Sequence, residues 1–234
     1  MEKILLPSPA QVEQGRGGYN IDGHTYKRVT SILKVIDKPG LITWAAKLGL
    51  AEMNKVMDTR SAFGTAVHKH CADILRGNVV NVDDMSDWEM RDCVKSYLLW
   101  KDTVKLGDYQ TEAVVYSKTY GFAGTTDFYG YINGHPSVLD LKTSKDVYIE
   151  AFLQVSAYCQ CIFEMTGLFP QYGGVLALRD TGYTFKYVDE MTLRGLFPVF
   201  LSAMKIHSWK AGPWLNSIQI RTGSVDVAKQ EEEL

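Results

Sequence analysis

Phe122-Ala-Gly-Thr-Thr-Asp-Phe-Tyr-Gly-Tyr-Ile132 runs through Asn133-Gly134 into Ser137-Val-Leu-Asp-Leu-Lys142, and the reading of this stretch decides the fold. Val, Tyr, Phe and Thr dominate both arms, and Asn-Gly suits a two-residue hairpin turn, so 122–132 and 137–142 are expected as antiparallel strands. With Ile132 facing His135 across the turn, Asp127 falls directly opposite Asp140. A turn of odd length would flip that register. Strand alternation places Asp140 and Lys142 on one face and Leu139 and Leu141 on the other.

Outward from the hairpin, residues 112–118 form a strand ahead of it, and 172–178 and 183–188 form two more behind it, turned at Asp180-Thr-Gly182. Helical spacing marks 148–165, stopped at Gly167, and 191–209. Earlier helices fall at 30–37, stopped by Pro39-Gly40, then at 41–50, 61–75 and 86–106. Ser86 and Glu89 open the last of these at capping-box spacing, and Gly107 closes it. Residues 19–27 alternate about Asp22-Gly23 as a hairpin. This order predicts an α/β fold, a mixed β-sheet flanked by helices with a helical N-terminal half, as one domain over 19–211. Residues 1–18, with Pro7, Pro9, Gly15, Gly17 and Gly18, read as an arm. Residues 212–234 read as a flexible acidic C-terminal tail.

Acidic residues inside strands are unusual unless they are paired or bind metal. Like charges facing each other destabilise a sheet, so a divalent cation is the economical reason for Asp127 to oppose Asp140. Carboxylate oxygens suit Mg²⁺ or Mn²⁺, and a lysine one pleat from a ligand is placed to orient or help deprotonate a water near the metal. Phosphodiester hydrolysis uses that combination. The plainer alternative is an exposed Asp140–Lys142 ion pair on an edge strand. His68 has Gly64 and Thr65 one turn ahead on the same helix face, which lets the helix approach a sheet closely. It is either a ligand or a satisfied histidine near His70. Gln154 and Tyr158, at i and i+4, share a face apart from Phe152, Val155, Cys159 and Phe163, as a polar pair at the site or a solvated stripe. Glu112 opens the strand before the hairpin as a further ligand or an exposed end.

Together these segments resemble the RecB-like branch of the PD-(D/E)XK nucleases, which includes phage and mitochondrial single-strand exonucleases and CRISPR adaptation nucleases. The resemblance covers roughly 28–160. It begins with Arg28-Val-Thr-Ser-Ile-Leu and Pro39-Gly-Leu-Ile-Thr-Trp44-Ala, and continues through Gly64-Thr-Ala-Val-His68. It then takes in Glu112 ahead of Ala123-Gly-Thr-Thr-Asp127, Asp140-Leu-Lys142-Thr, and Gln154-Val-Ser-Ala-Tyr158. It implies a restriction-endonuclease-like fold and a metal-dependent deoxyribonuclease, an exonuclease on single-stranded DNA or duplex ends in replication, recombination or repair. By resemblance His68, Asp127 and Asp140 hold Mg²⁺ or Mn²⁺; the main-chain carbonyl of Leu141 and Glu112 are additional ligand candidates beside them. Lys142 then acts at the attacking water, and Gln154 and Tyr158 hold the strand beside it. A structure-specific endonuclease and an RNA nuclease stay open. So does a catalytically silent DNA-binding module, although such a module has no physical need for clustered carboxylates facing phosphate.

The 234 residues, 46% hydrophobic with 7 prolines, can bury a large core, which excludes a disordered or disulfide-stapled chain. Lys and Arg number 25 against 27 Asp and Glu, so a nucleic acid must be held by a local basic surface rather than by net charge. Lys69, Lys145, Arg179, Lys186, Lys205, Lys210 and Arg221 are candidates for phosphate contacts. Trp44, Trp100, Trp209 and Trp214 are candidates for base stacking, with core packing as the alternative. Cysteines 71, 93, 159 and 161 lack any paired metal spacing, so no iron–sulfur cluster is expected, and reduced thiols fit a cytosolic protein; compact size without motor or cluster motifs suggests the cytoplasm of a bacterium or a phage-infected host. There is no P-loop and no apolar run long enough for a signal peptide or a bilayer span. The acidic end, 230–234, is either a docking peptide for a replication or recombination partner or a solvated terminus.

Overall fold

The computed structural model describes residues 6–15, 17–37 and 39–212. Among them, eight strands form one mixed sheet: β1 (Val12–Gly15), β2 (Gly18–Ile21), β3 (His24–Arg28), β4 (Leu106–Ser117), β5 (Phe122–Ile132), β6 (His135–Lys142), β7 (Tyr172–Arg179) and β8 (Gly182–Asp189). The helices are α1 (Val29–Ile32), α2 (Pro39–Leu48), α3 (Leu50–Leu75), α4 (Trp88–Asp102), α5 (Glu150–Thr166) and α6 (Glu190–Lys210). The expected α/β architecture, a mixed sheet flanked by helices with a helical run before its central strands, is present.

Its centre is the hairpin. Asn133 and Gly134 both take positive φ, 52° and 85°, as a twist-matched two-residue turn requires, and Ile132 faces His135. β4 lies antiparallel along one side of β5, while β7 runs parallel to β6 and β8 antiparallel to β7. One sheet face sets Phe128, Leu139, Leu141 and Leu176 against α3 and α4, through Val67, Cys71, Tyr97 and Trp100. The other sets Tyr129, Val138 and Val175 against α5 and α6, through Val155, Cys159, Leu193 and Phe200. Each such fully buried side chain contributes about 1.5–3 kcal/mol.

The other side of β5 is shared. Phe128 to Ile132 pair with β6, whereas Phe122 and Ala123 pair in parallel with Lys27 and Arg28 of β3. Over 124–127 no strand pairs with β5 on that side among the described residues, so the sheet forks there. Asp127 stands in the fork.

Several boundaries differ from the sequence reading. β1 lies inside the stretch expected as an arm; its four residues are all exposed, so no apolar alternation announces it. α3 begins at Leu50, eleven residues before the expected start, because its first half carries no buried stripe. Asp87, not Ser86, caps α4 by accepting from the Met90 N–H, and the helix stops at Asp102, which leaves Gly107 inside β4. Trp100 is 1% exposed and packs against Tyr97 and Phe185, so it is a core residue and not a stacking platform. Trp209 is exposed on α6. Trp214, Arg221 and the acidic end lie outside the described residues. The four cysteines are buried and unpaired on α3, α4 and α5. No helix among the described residues is long and apolar enough to cross a membrane.

Candidate functional site

The fork is held open by a carboxylate. Asp127 Oδ2 accepts the backbone N–H of Leu141 at 2.7 Å, taking the place of a ladder hydrogen bond where β6 leaves β5. Its Oδ1 lies 2.8 Å from His68 Nδ1, which ties the strand to α3. Gly64, one turn earlier, makes room for that approach: a Cβ there would meet Thr143 Oγ1 at 3.2 Å, just beyond the end of β6. On the neighbouring strand Thr111 Oγ1 donates to the Asp127 carbonyl at 2.8 Å. The next residue, Glu112, takes φ 53°, a left-handed conformation costly for a residue with a side chain. His68, Glu112 and Asp127 each offer a ligand atom, and these atoms all lie within 4.8 Å of one another.

Asp140 and Lys142 form a second network beside the first. Lys142 Nζ stands 2.8 Å from Asp140 Oδ2 and donates to Gln154 Oε1 at 3.1 Å, while Gln154 Nε2 donates to Asp140 Oδ1 at 2.6 Å and to the Tyr158 hydroxyl at 3.0 Å. Asp140 Oδ2 is buried and, although within charge contact of Lys142, receives no aligned hydrogen bond. Tyr158 reaches this position because β5 has glycine at 124, where a Cβ would collide with the tyrosine ring. Gln154 and Tyr158 are 7% and 2% exposed, so they sit behind Asp140 rather than on a surface a strand could touch.

The charges account for each other. Although Glu112 is exposed, partial desolvation at its carboxyl raises it, and the nearby Asp127 raises it further. Burial would lower His68, but the charge and hydrogen bond of Asp127 outweigh it and hold the imidazole above its ordinary value. Burial also raises Asp140; Lys142 offsets this in part and Asp127 adds to it. Lys142 is raised too, Asp140 outweighing the burial that would lower it. The 2.8 Å contact and the Gln154 donor favour the ion pair.

One imidazole and two carboxylates fit a divalent cation such as Mn²⁺ or Mg²⁺, and two acidic groups this close repel each other without one. When protonated, His68 beside Asp127 offsets part of that repulsion. Of the residues singled out from sequence, His68, Glu112 and Asp127 form this donor group, Asp140 and Lys142 adjoin it, and Leu141 lies between the two networks. Glu112, the weakest sequence candidate, is drawn in by its backbone twist, which no sequence pattern foretells. Thr111 was missed, as was a second polar group at the fork. There the Tyr19 hydroxyl shares a 3.0 Å hydrogen bond with Thr125 Oγ1, and Arg28 donates to that hydroxyl. Thr125 belongs to the motif that holds Asp127, the one available hint. Among the basic candidates, Arg179 donates to the Lys145 carbonyl and to Thr184, and Lys186 pairs with Asp146. Lys69, Lys145, Lys205 and Lys210 are exposed.

No protein-family profile matches this chain, and no curated protein does. Among solved structures, SSO0001 is 13% identical, covering 82% of this chain and 79% of that one, with a TM-score of 0.40. The exonuclease LHK-Exo in complex with dAMP is 11% identical, covering 83% and 95%, with a TM-score of 0.39. A further structure of this alkaline exonuclease, from Laribacter hongkongensis, is 10% identical, covering 82% and 95%, with a TM-score of 0.36. Likeness at this level stops short of chemistry, which must come from the site's own atoms.

Proposed function

We propose that the chain is a divalent-metal-dependent nuclease of the RecB-like PD-(D/E)XK kind, an exodeoxyribonuclease acting on single-stranded DNA or DNA ends. The observation that carries this reading is the donor group of His68, Glu112 and Asp127, within 4.8 Å of one another, beside a buried aspartate–lysine pair in a strand fork. Mg²⁺ or Mn²⁺ held there, with Asp140 and the Leu141 carbonyl as neighbouring donors, would supply positive charge to phosphoryl oxygens and lower the pKa of water.

The chain's own residues supply the rest. Asp127 fixes the His68 ring through Nδ1 and leaves Nε2 as the free nitrogen. Gln154 grips Asp140 and Lys142 at once, so carboxylate and ammonium keep one relative position through the reaction. Lys142, a cation fixed by Asp140, hydrogen-bonds and orients the attacking water or steadies charge growing on the phosphate. Tyr158 supports Gln154 from behind.

The substrate class is tested by incubating end-labelled linear single-stranded DNA, blunt duplex, circular single-stranded DNA and RNA with Mg²⁺. Stepwise shortening of linear DNA with circles and RNA intact is the expected result. Cut circles would make the chain an endonuclease, and preference for RNA would reassign the substrate.

A further inference from the structure

A cavity of about 580 Å³ opens along β4, between that strand, the C-terminal end of α3 and the segment leading into β1. Its volume lies within the range of about 300–1,000 Å³ that seats single small molecules. Pro7, Pro9 and Leu75 give it an apolar wall, Arg76 a cation, and Thr111 and Glu112 a polar floor. The wall is fixed, for the Leu6 N–H donates to Gln110 Oε1 of β4 at 2.9 Å and Leu6 is buried.

Glu112 ties this cavity to the site. It lines the cavity and also belongs to the donor group with His68 and Asp127. Its neighbours keep regular pairing, Thr111 with Phe128 and Ala113 with Thr126, while Glu112 alone turns to φ 53°. A strained residue at the junction of a cavity and a donor group points to a ligand that spans both. Arg76 pairs with Asp73 through one guanidinium nitrogen at 3.6 Å, and with its side chain 46% exposed the rest of its five-donor fork can take an anion.

On the nuclease reading, we propose that this cavity seats one nucleotide of the cut strand, the one joined to the scissile phosphate. Its base and sugar lie on Pro7, Pro9 and Leu75, and its far phosphate lies on Arg76. The apolar wall meets the face of a base and reads no edge, so the seat shows little preference among bases.

The test titrates thymidine 3′,5′-bisphosphate, which carries a phosphate at each end, with Mg²⁺ present, into the full chain and into Arg76→Ala and Ser8→Trp. Ser8 lines the cavity from an exposed position, so its replacement fills space without touching the core. Wild type should bind, and both variants should bind about tenfold or more weakly. Both should raise KM for single-stranded DNA by a similar factor, with kcat and melting temperature near wild type, and Arg76→Lys should recover part of the loss. A chain that cuts DNA but binds no nucleotide, or whose binding and KM ignore both variants, overturns this seat and leaves the nuclease intact. Binding weakened by both variants in a chain that cuts nothing upholds the seat and overturns the nuclease reading.

Discussion

Gln154 grips both members of the Asp140–Lys142 pair with the two ends of one amide, and Tyr158 takes up its remaining proton. Truncation to alanine leaves the buried Asp140 Oδ1 without its donor, a loss that for groups supporting metal ligands is about 10–100-fold in affinity or rate. Single-turnover cleavage by Gln154→Ala should fall by that factor while circular dichroism stays native; unchanged cleavage would remove Gln154 from the site's support. A second prediction concerns protons. The Glu112 carboxyl and the His68 imidazole both sit above their ordinary values of 4.5 and 6.5 in the folded chain. Each therefore binds its proton more tightly folded than unfolded. The stability His68 contributes is complete below 6.5 and is lost as pH rises through its folded value; Glu112 likewise loses ground as pH rises above 4.5. In EDTA the chain should melt at a higher temperature at pH 6 than at pH 8, and Mg²⁺ should narrow the gap by supplying the missing positive charge. A higher melting temperature at pH 8 in EDTA would contradict the charge balance drawn for the site.

The strand fork and the helix behind it depend on glycine at two close approaches. Gly124→Ala drives a Cβ into the Tyr158 ring. That overpacking should cost about 1–3 kcal/mol in a urea titration and lower cleavage as Gln154 is displaced with its tyrosine. Gly64→Ala meets only Thr143 Oγ1 at 3.2 Å and should cost less. Equal effects of the two would mean that α5 does not press on β5 as described. At this scale the hairpin was legible because its signals are local: a period of two, an Asn-Gly turn, and a register that follows by counting. β1 and the first half of α3 were not, since both are exposed and carry no apolar pattern. The twist at Glu112 was illegible for another reason. It is imposed by strands and a helix brought together from distant parts of the chain.

For the whole molecule, a net charge of −2 gives no general attraction to nucleic acid, so binding must rest on local features such as the exposed lysines and the donor group. The sequence expected His68 and Asp127 near Asp140 and Lys142, and the fold brings these four side chains together, because motif spacing survives folding. The candidate donor group takes in Glu112, the lesser of the acidic candidates, and Trp100, open between base stacking and core packing, falls in the core, because side-chain burial depends on how α3 and α4 cover the sheet. The claim that joins these observations is that the acidic cluster exists to hold a metal for phosphodiester cleavage. Its most direct test is digestion of end-labelled single-stranded DNA in Mg²⁺, Mn²⁺ or EDTA, with wild type beside Asp127→Ala, Asp140→Ala and Lys142→Ala. Cleavage that needs the metal and is lost in all three folded variants is the predicted result. Metal-independent cleavage, full activity in any variant, or tight DNA binding with no cleavage under any condition would contradict it.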